Sequence, residues 1–179
     1  MKATGIVRRI DDLGRVVIPT EIRRTMRIRE GDPLEIFTSA GGEVIFKKYS
    51  PIGELSTFAS EYAESLSSAT ELSVIICDRD HCIAAAGISK RETIEKAVTP
   101  ELETLMENRS AFNFQKENKD FFALQGVEKK VLIANPIISS GDVSGAVVLI
   151  ESEKASSPTE SDIKLAQVAA GFLGKQMED

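Results

Sequence analysis

The residues best able to do chemistry stand near the start of the chain. Between Gly5 and Arg24 there are five arginines, Arg8, Arg9, Arg15, Arg23 and Arg24, and no lysine. A guanidinium is a planar fork of donors that fits phosphate oxygens and guanine edges, whereas an ammonium is a point charge. The spacing groups them. Arg8 and Arg9 precede the turn sequence Asp11-Asp12-Leu13-Gly14 and Arg15 follows it, so a hairpin there gathers all three across the turn. Arg23 and Arg24 fall on a short helix opened by Pro19-Thr20-Glu21. The bland alternative is a solvated surface partly neutralised by Asp11, Asp12 and Glu21, where each pair contributes only about 0–1 kcal/mol. Within residues 1–29 arginine outnumbers lysine seven to one. A solvated surface does not need that bias, yet composition alone leaves both readings open.

Other chemistry finds less support. Cys77-Asp78-Arg79-Asp80-His81-Cys82 contains metal-ligating residue types and the chain's single histidine. Its flanks are strand-like, so Asp78 to Asp80 reads as a hairpin turn. His81 and Cys82 then point to opposite sheet faces, and four zinc ligands of usual spacing are lacking. Two cysteines make no disulfide scaffold. Gly171-Phe172-Leu173-Gly174-Lys175 has the wrong spacing for a phosphate loop and lies in a helical pattern. No G-x-S-x-G, H-E-x-x-H or G-x-G-x-x-G occurs. The expectation is therefore no enzyme, no catalytic residue, no metal and no cofactor.

Charge divides the chain. Residues 1–50 carry 10 basic and 7 acidic side chains, a balance of +3, while the remainder carries 12 and 21, a balance of −9. The net charge of −6 thus hides a basic front. No purely apolar run exceeds five residues, far below the roughly 20 that span a bilayer, and the start lacks a signal peptide's apolar stretch. These features point to a cytoplasmic protein without a membrane partner.

The elements that must position the arginines are short. Thr4 to Ile10 and Arg15 to Ile18 are expected as strands, and Leu34 to Thr38 with Glu43 to Lys48 as a hairpin. A unit of about 50 residues buries too little surface to stand alone. It has no cysteine and no metal cluster, so two chains are expected to share one core. Ser50-Pro51 marks the joint, dividing the chain into 1–51 and 52–179. Beyond it, a helix is expected to about Ser68, strands at Leu72 to Asp78 and His81 to Ala86, and a helix from Thr93 to Asn108 interrupted at Pro100. Residues 111–124 are ambiguous. Strands at Val131 to Ile138 and Val143 to Ile150 follow, then a helix from about Thr159 to Met177. That order makes an α+β domain with an antiparallel sheet. The last helix carries two apolar stripes, Ile163, Ala166, Ala170, Leu173 and Met177 on one side and Leu165, Val168 and Phe172 on another. One stripe covers a sheet. The other is left for the helix after Pro51 or for another chain.

The stretch TGIVRRIDDLGRVVIPTEIRRTMRIREGDPLEIF resembles the AbrB-type DNA-binding domain, with LGRVVIP, EIRR, GDPLEIF and FKKYSP in the family's order. The resemblance implies an all-β swapped-hairpin barrel with a short helix, formed by two chains and bound to double-stranded DNA. It implies DNA contact at Arg8, Arg15, Arg23 and Arg24; Arg9 joins them from its place in the cluster. The second half, with NPIISSGDVSGAVVLI and the ending AAGFLGKQME, resembles a GAF-like domain. The combination resembles a family of sporulation regulators. That implies a homotetramer joined through the flanking helices, activation and repression of forespore genes, and a small-molecule site of unknown ligand residues in the region of 87–125. AbrB-like barrels also occur in antitoxins, which makes a protein-binding module the alternative.

Overall fold

A computed structural model describes residues 4–178, in two compact units, Met1–Tyr49 and Ser50–Asp179. In the first, residues 4–18 form neither helix nor strand and turn at Asp11 to Gly14, where Gly14 takes φ +75°. Helix α1 (Thr20–Thr25) follows, and then β1 (Leu34–Thr38) and β2 (Val44–Lys48), paired antiparallel with Leu34 opposite Lys48 and Thr38 opposite Val44. The hairpin closes through Ser39 N–H to the Glu43 carbonyl at 3.0 Å, with Gly42 at φ +81°.

The strands expected at Thr4 to Ile10 and Arg15 to Ile18 are absent from the single chain. The reason is physical. A strand exists only where a second backbone accepts its ladder. Here the two arms exchange only the turn-closing bonds, Asp11 N–H to the Arg15 carbonyl and Gly14 N–H to the Asp11 carbonyl, both 3.0 Å. Their apolar side chains are bare: Val7 is 82% exposed and Val17 71%. Among the described residues of this unit only Pro19 is buried.

The second unit is a five-stranded antiparallel sheet ordered β4-β3-β7-β6-β5. It opens with α2 (Pro51–Glu54) and α3 (Ser56–Thr70), then β3 (Ser73–Asp78) and β4 (Cys82–Ala86). Next come α4 (Lys90–Thr93), α5 (Pro100–Glu107), β5 (Phe112–Asn113) and α6 (Phe114–Glu117). The long hairpin β6 (Val131–Ser139) and β7 (Asp142–Ile150) leads to α7 (Glu160–Gln176). Two cores lie on the two sheet faces. Val74, Ile76, Val147 and Leu149 face α3 and α7, while Ile75, Cys77, Ala146 and Val148 face α5 and its loops. A sheet covered on both sides needs no polar alternation, which is why its strands read as unbroken apolar runs.

The expected helix from Thr93 to Asn108 is not one helix. The chain breaks at Ile94 to Thr99, where Val98 bridges to Leu124, and Pro100 begins α5 instead of interrupting it. Proline suits that first position, and the Thr99 hydroxyl accepts from Leu102 N–H at 3.3 Å as the cap. Helix α7 starts with a capping box: Asp162 N–H donates to the Thr159 hydroxyl at 3.2 Å, and Thr159 N–H donates to Asp162 Oδ2 at 2.7 Å.

Gly174 lets α7 lie directly on β6, since a Cβ there would overlap the Ile138 carbonyl oxygen. Gly171, one turn away, faces open space. The expected outcome is opposite signs for one substitution in one helix. Gly171→Ala should stabilise by up to about 1 kcal/mol through helix propensity. Gly174→Ala should destabilise by roughly 1–3 kcal/mol through overpacking. Urea midpoints of the two variants check this.

Candidate nucleic-acid interface

The arginines sit on two small devices. The first is the turn. Asp11 Oδ1 accepts from the backbone N–H of Leu13 at 3.0 Å and of Arg15 at 2.8 Å, and Asp11 Oδ2 accepts from Arg15 Nε at 2.8 Å. These bonds to Arg15 hold the Asp11 carboxyl below the usual carboxylate range. Arg8 lies on the arm before the turn, its Nη1 donating to the Val7 carbonyl at 3.0 Å. Arg9 beside it is exposed and makes no hydrogen bond or ion pair with any described residue.

The second device is α1. Arg23 and Arg24 occupy its last turn, where a cation favours the helix dipole. Arg24 is exposed and, among the described residues, has no side-chain partner. Arg23 is half-buried: Nη2 reaches the Thr20 hydroxyl at 3.4 Å, while Nε is buried with no acceptor. A buried donor without a partner is costly, so the surface around Arg23 is incomplete in the single chain. The helix ends in a Schellman arrangement, Ile28 N–H to the Arg23 carbonyl at 2.7 Å and Arg27 N–H to the Arg24 carbonyl at 3.3 Å, with Arg27 at φ +52°. Lys48 Nζ of β2 donates to the Arg27 carbonyl at 2.9 Å, fixing that end. What sequence reasoning missed is the work of Asp11. The sequence marks it as part of a turn and as a neutraliser of the patch; the structure adds that its two oxygens divide these tasks, Oδ1 shaping the turn and Oδ2 gripping Arg15. An aspartate four residues before an arginine, with glycine between, was the available signal.

In the second unit, Cys77 and Cys82 are register partners across β3 and β4, both fully buried. Asp78 Oδ1 accepts from the N–H of Asp80 and of His81, each at 2.7 Å, so the segment is a hairpin turn. Among the described residues no cluster of His, Cys, Asp or Glu could hold a metal. Part of the region of 87–125 is core: Val98, Leu102, Met106 and Leu124 are buried, and Phe112 meets Phe121 edge to face at 4.7 Å. The start of that region, at Gly87, lines an open groove of about 830 Å³ together with Ser67, Ser73, Lys129, Ser152 and Lys154. On the outer side of α7, Phe172 stacks on Tyr62 of α3 at 5.8 Å and meets Phe58 at 5.9 Å. Burial there pushes the Tyr62 hydroxyl up. Phe172 nevertheless stays 40% exposed, and Val168 62%.

Comparison with known proteins gives concordant results for both units. The family described as "Stage V sporulation protein T C-terminal, transcription factor" matches residues 54–178. The family described as "Antidote-toxin recognition MazE, bacterial antitoxin" matches residues 7–53. The chain is 51% identical over 180 residues to stage V sporulation protein T of Bacillus subtilis (strain 168), covering 99% of each. It is 59% identical over 51 residues to the transition state regulatory protein AbrB of the same organism, 28% of this chain and 52% of that one. Among solved structures, the GAF domain of an Acinetobacter phosphoenolpyruvate-protein phosphotransferase aligns with a TM-score of 0.54 at 11% identity, over 69% of this chain and 81% of that chain. The second unit therefore has a GAF-like fold.

The cysteine pair generates a prediction. The side-chain hydrogen bond with Cys82, and then burial, push the Cys77 thiol well above its usual value. The thiolate is the nucleophile, so at pH 8 the folded protein should resist an alkylating reagent and both cysteines should label only after denaturation. Mass spectrometry of native and urea-unfolded samples reads the difference; prompt native labelling would contradict the burial.

Proposed function

Because the chain belongs to the stage V sporulation protein T family, we propose that it is a cytoplasmic transcription regulator, activating some forespore genes and repressing others, which binds duplex DNA through paired first units. The observation that carries this reading is the state of the arginines. Arg9 and Arg24 are exposed and uncommitted among the described residues, and Arg23 holds a buried Nε that lacks an acceptor. Phosphate oxygens satisfy such donors, and release of counterions on phosphate contact makes the affinity fall with salt. Arg8, Arg9, Arg15, Arg23 and Arg24 are the contact residues in this reading, some reaching base edges and the rest the backbone.

Pairing supplies what the single unit lacks. A second copy of residues 4–18 gives each arm a strand neighbour and covers Val7, Ile10, Val16 and Val17, while doubling the basic face. The second pairing uses α3 and α7. Their outer apolar row, Leu165, Val168 and Phe172 with Phe58 and Tyr62, is continuous and partly bare, and a like row from another dimer makes a four-helix contact and a tetramer. A small polar ligand, where the second unit takes one, finds its place in the groove between Ser67 and Ser152. No catalytic step belongs to this reading.

The antitoxin reading has one observation in its favour, the family matched by residues 7–53. Against it, the rest of the chain is a packed domain with two cores, not a segment that could wrap a toxin.

Two outcomes test the proposal. Arg24→Ala should weaken binding to duplex DNA from a sporulation promoter by about tenfold and lower the log–log salt slope by about one. It should leave the sedimentation of the protein unchanged. Equal affinity at moderate salt, or co-purification of a small partner protein without DNA binding, would favour the antitoxin class. Separately, Val168→Glu should convert a tetramer to a dimer in sedimentation velocity, through unpaired charge at the helix contact.

A further inference from the structure

A carboxylate beside a DNA-facing arginine is an electrostatic cost, because it repels phosphate and cancels part of the guanidinium's charge. The arm carries two such groups in succession, Asp11 and Asp12. The structure treats them differently. Asp12 is exposed and has no side-chain hydrogen bond to any described residue. Asp11 is engaged at both oxygens. Oδ1 takes the backbone N–H of Leu13 and of Arg15 and so shapes the turn. Oδ2 takes Arg15 Nε at 2.8 Å.

The Nε bond leaves a particular edge of the guanidinium open. Nη1 and Nη2 of Arg15 have no acceptor among the described residues, and the side chain is 69% exposed. That outer edge is the one that engages a phosphate or a guanine with two parallel bonds. A free arginine loses rotamer freedom when it binds; one already held at Nε loses less. Asp11 therefore has two opposed effects on DNA, repulsion by its charge and orientation of its neighbour.

We propose that Asp11 is a positioning residue for DNA recognition, holding Arg15 across the turn so that its outer guanidinium edge meets the duplex already aligned, and that orientation outweighs repulsion. This rests on the reading of the chain as a duplex-DNA binder. It separates from that reading because the sign of one substitution depends on it. Charge alone says that neutralising any carboxylate on this arm tightens binding. Positioning says that Asp11 is the exception.

The experiment measures affinity of the full chain for promoter duplex across a salt series. Asp12→Asn should tighten binding slightly. Asp11→Asn keeps an oxygen for the two backbone N–H groups but replaces the acceptor of Arg15 Nε, and should weaken binding by about fivefold, within the range for coupled neighbours. In an Arg15→Ala background Asp11→Asn should no longer weaken binding, because there is no guanidinium left to orient. Arg15→Lys, which keeps the charge without an Nε donor, gives a second route: there too Asp11→Asn should cease to weaken. Tightening by Asp11→Asn to match Asp12→Asn would overturn the proposal while leaving DNA binding intact. An equal loss with and without Arg15 would also overturn it and would make Asp11 a turn-builder alone. Failure of the unsubstituted chain to bind duplex DNA would remove the functional reading itself and this inference with it.

Discussion

An arm with no strand beside it keeps neither its backbone hydrogen bonds nor its apolar side chains from water, and the first unit opens with two such arms, before α1 and the β1–β2 hairpin. Everything attributed to this unit depends on that constraint. Among its described residues only Pro19 is buried as a whole. Val7, Ile10, Leu13 and Val17 are bare, so the conformational entropy of ordering the arms is not met within one chain. A second chain is the simplest source of both missing things, since the arms can pair with their copies and close over a shared core. In the proposed pairing the same act brings two sets of arginines to one surface.

The second unit obeys the opposite logic. It has surplus apolar surface after its own needs are met. Alternating strand residues feed two cores, and the sheet is closed on both sides by α3 and α7 and by α5 with its loops. Gly145 and Gly174 tighten the arrangement, each at a place where a Cβ would strike a neighbouring carbonyl, of Cys77 and of Ile138. What remains outside is the row on α7 that ends at Phe172. In the proposed assembly the second unit contributes a row it does not need for its own core, whereas the first unit gains the cover its arms lack.

The sequence made much of this legible, for identifiable reasons. Strands β3, β6 and β7 were evident because double burial leaves long apolar runs bounded by turn residues. The start of α7 was evident because Ser157-Pro158-Thr159-Glu160 announces a cap. The two stripes of α7 were evident because periodicity does not depend on what covers them. Residues 94–99 and 111–124 were not legible. There the chain packs irregular segments onto a sheet through single bridges, such as His81 to Ala97 and Phe122 to Lys130, and such contacts have no period to read. Pro100 was misread because proline marks a helix start and a helix break with the same residue; the Thr99 cap decided between them. The arms of the first unit were misread as strands for a different reason. Their propensity is β, but a strand is a property of two backbones, and one chain's sequence names only one of them.

The arginine cluster shows how far residue types can carry a functional argument. Type and spacing identified which side chains suit phosphate, but not which were already in use. Five guanidiniums look alike in sequence. In the structure Arg15 is held by Asp11, Arg8 rests on its own backbone, Arg23 is half-buried with one donor stranded, and Arg9 and Arg24 project freely. These are different energetic states. A freely projecting arginine contributes charge and pays its ordering cost on binding, while a held one contributes direction. A surface meant only to attract polyanion has no use for the second kind. In the proposed reading the presence of both on one small unit suits a site that aligns DNA as well as attracting it, with the held arginine at the turn that Asp11 shapes.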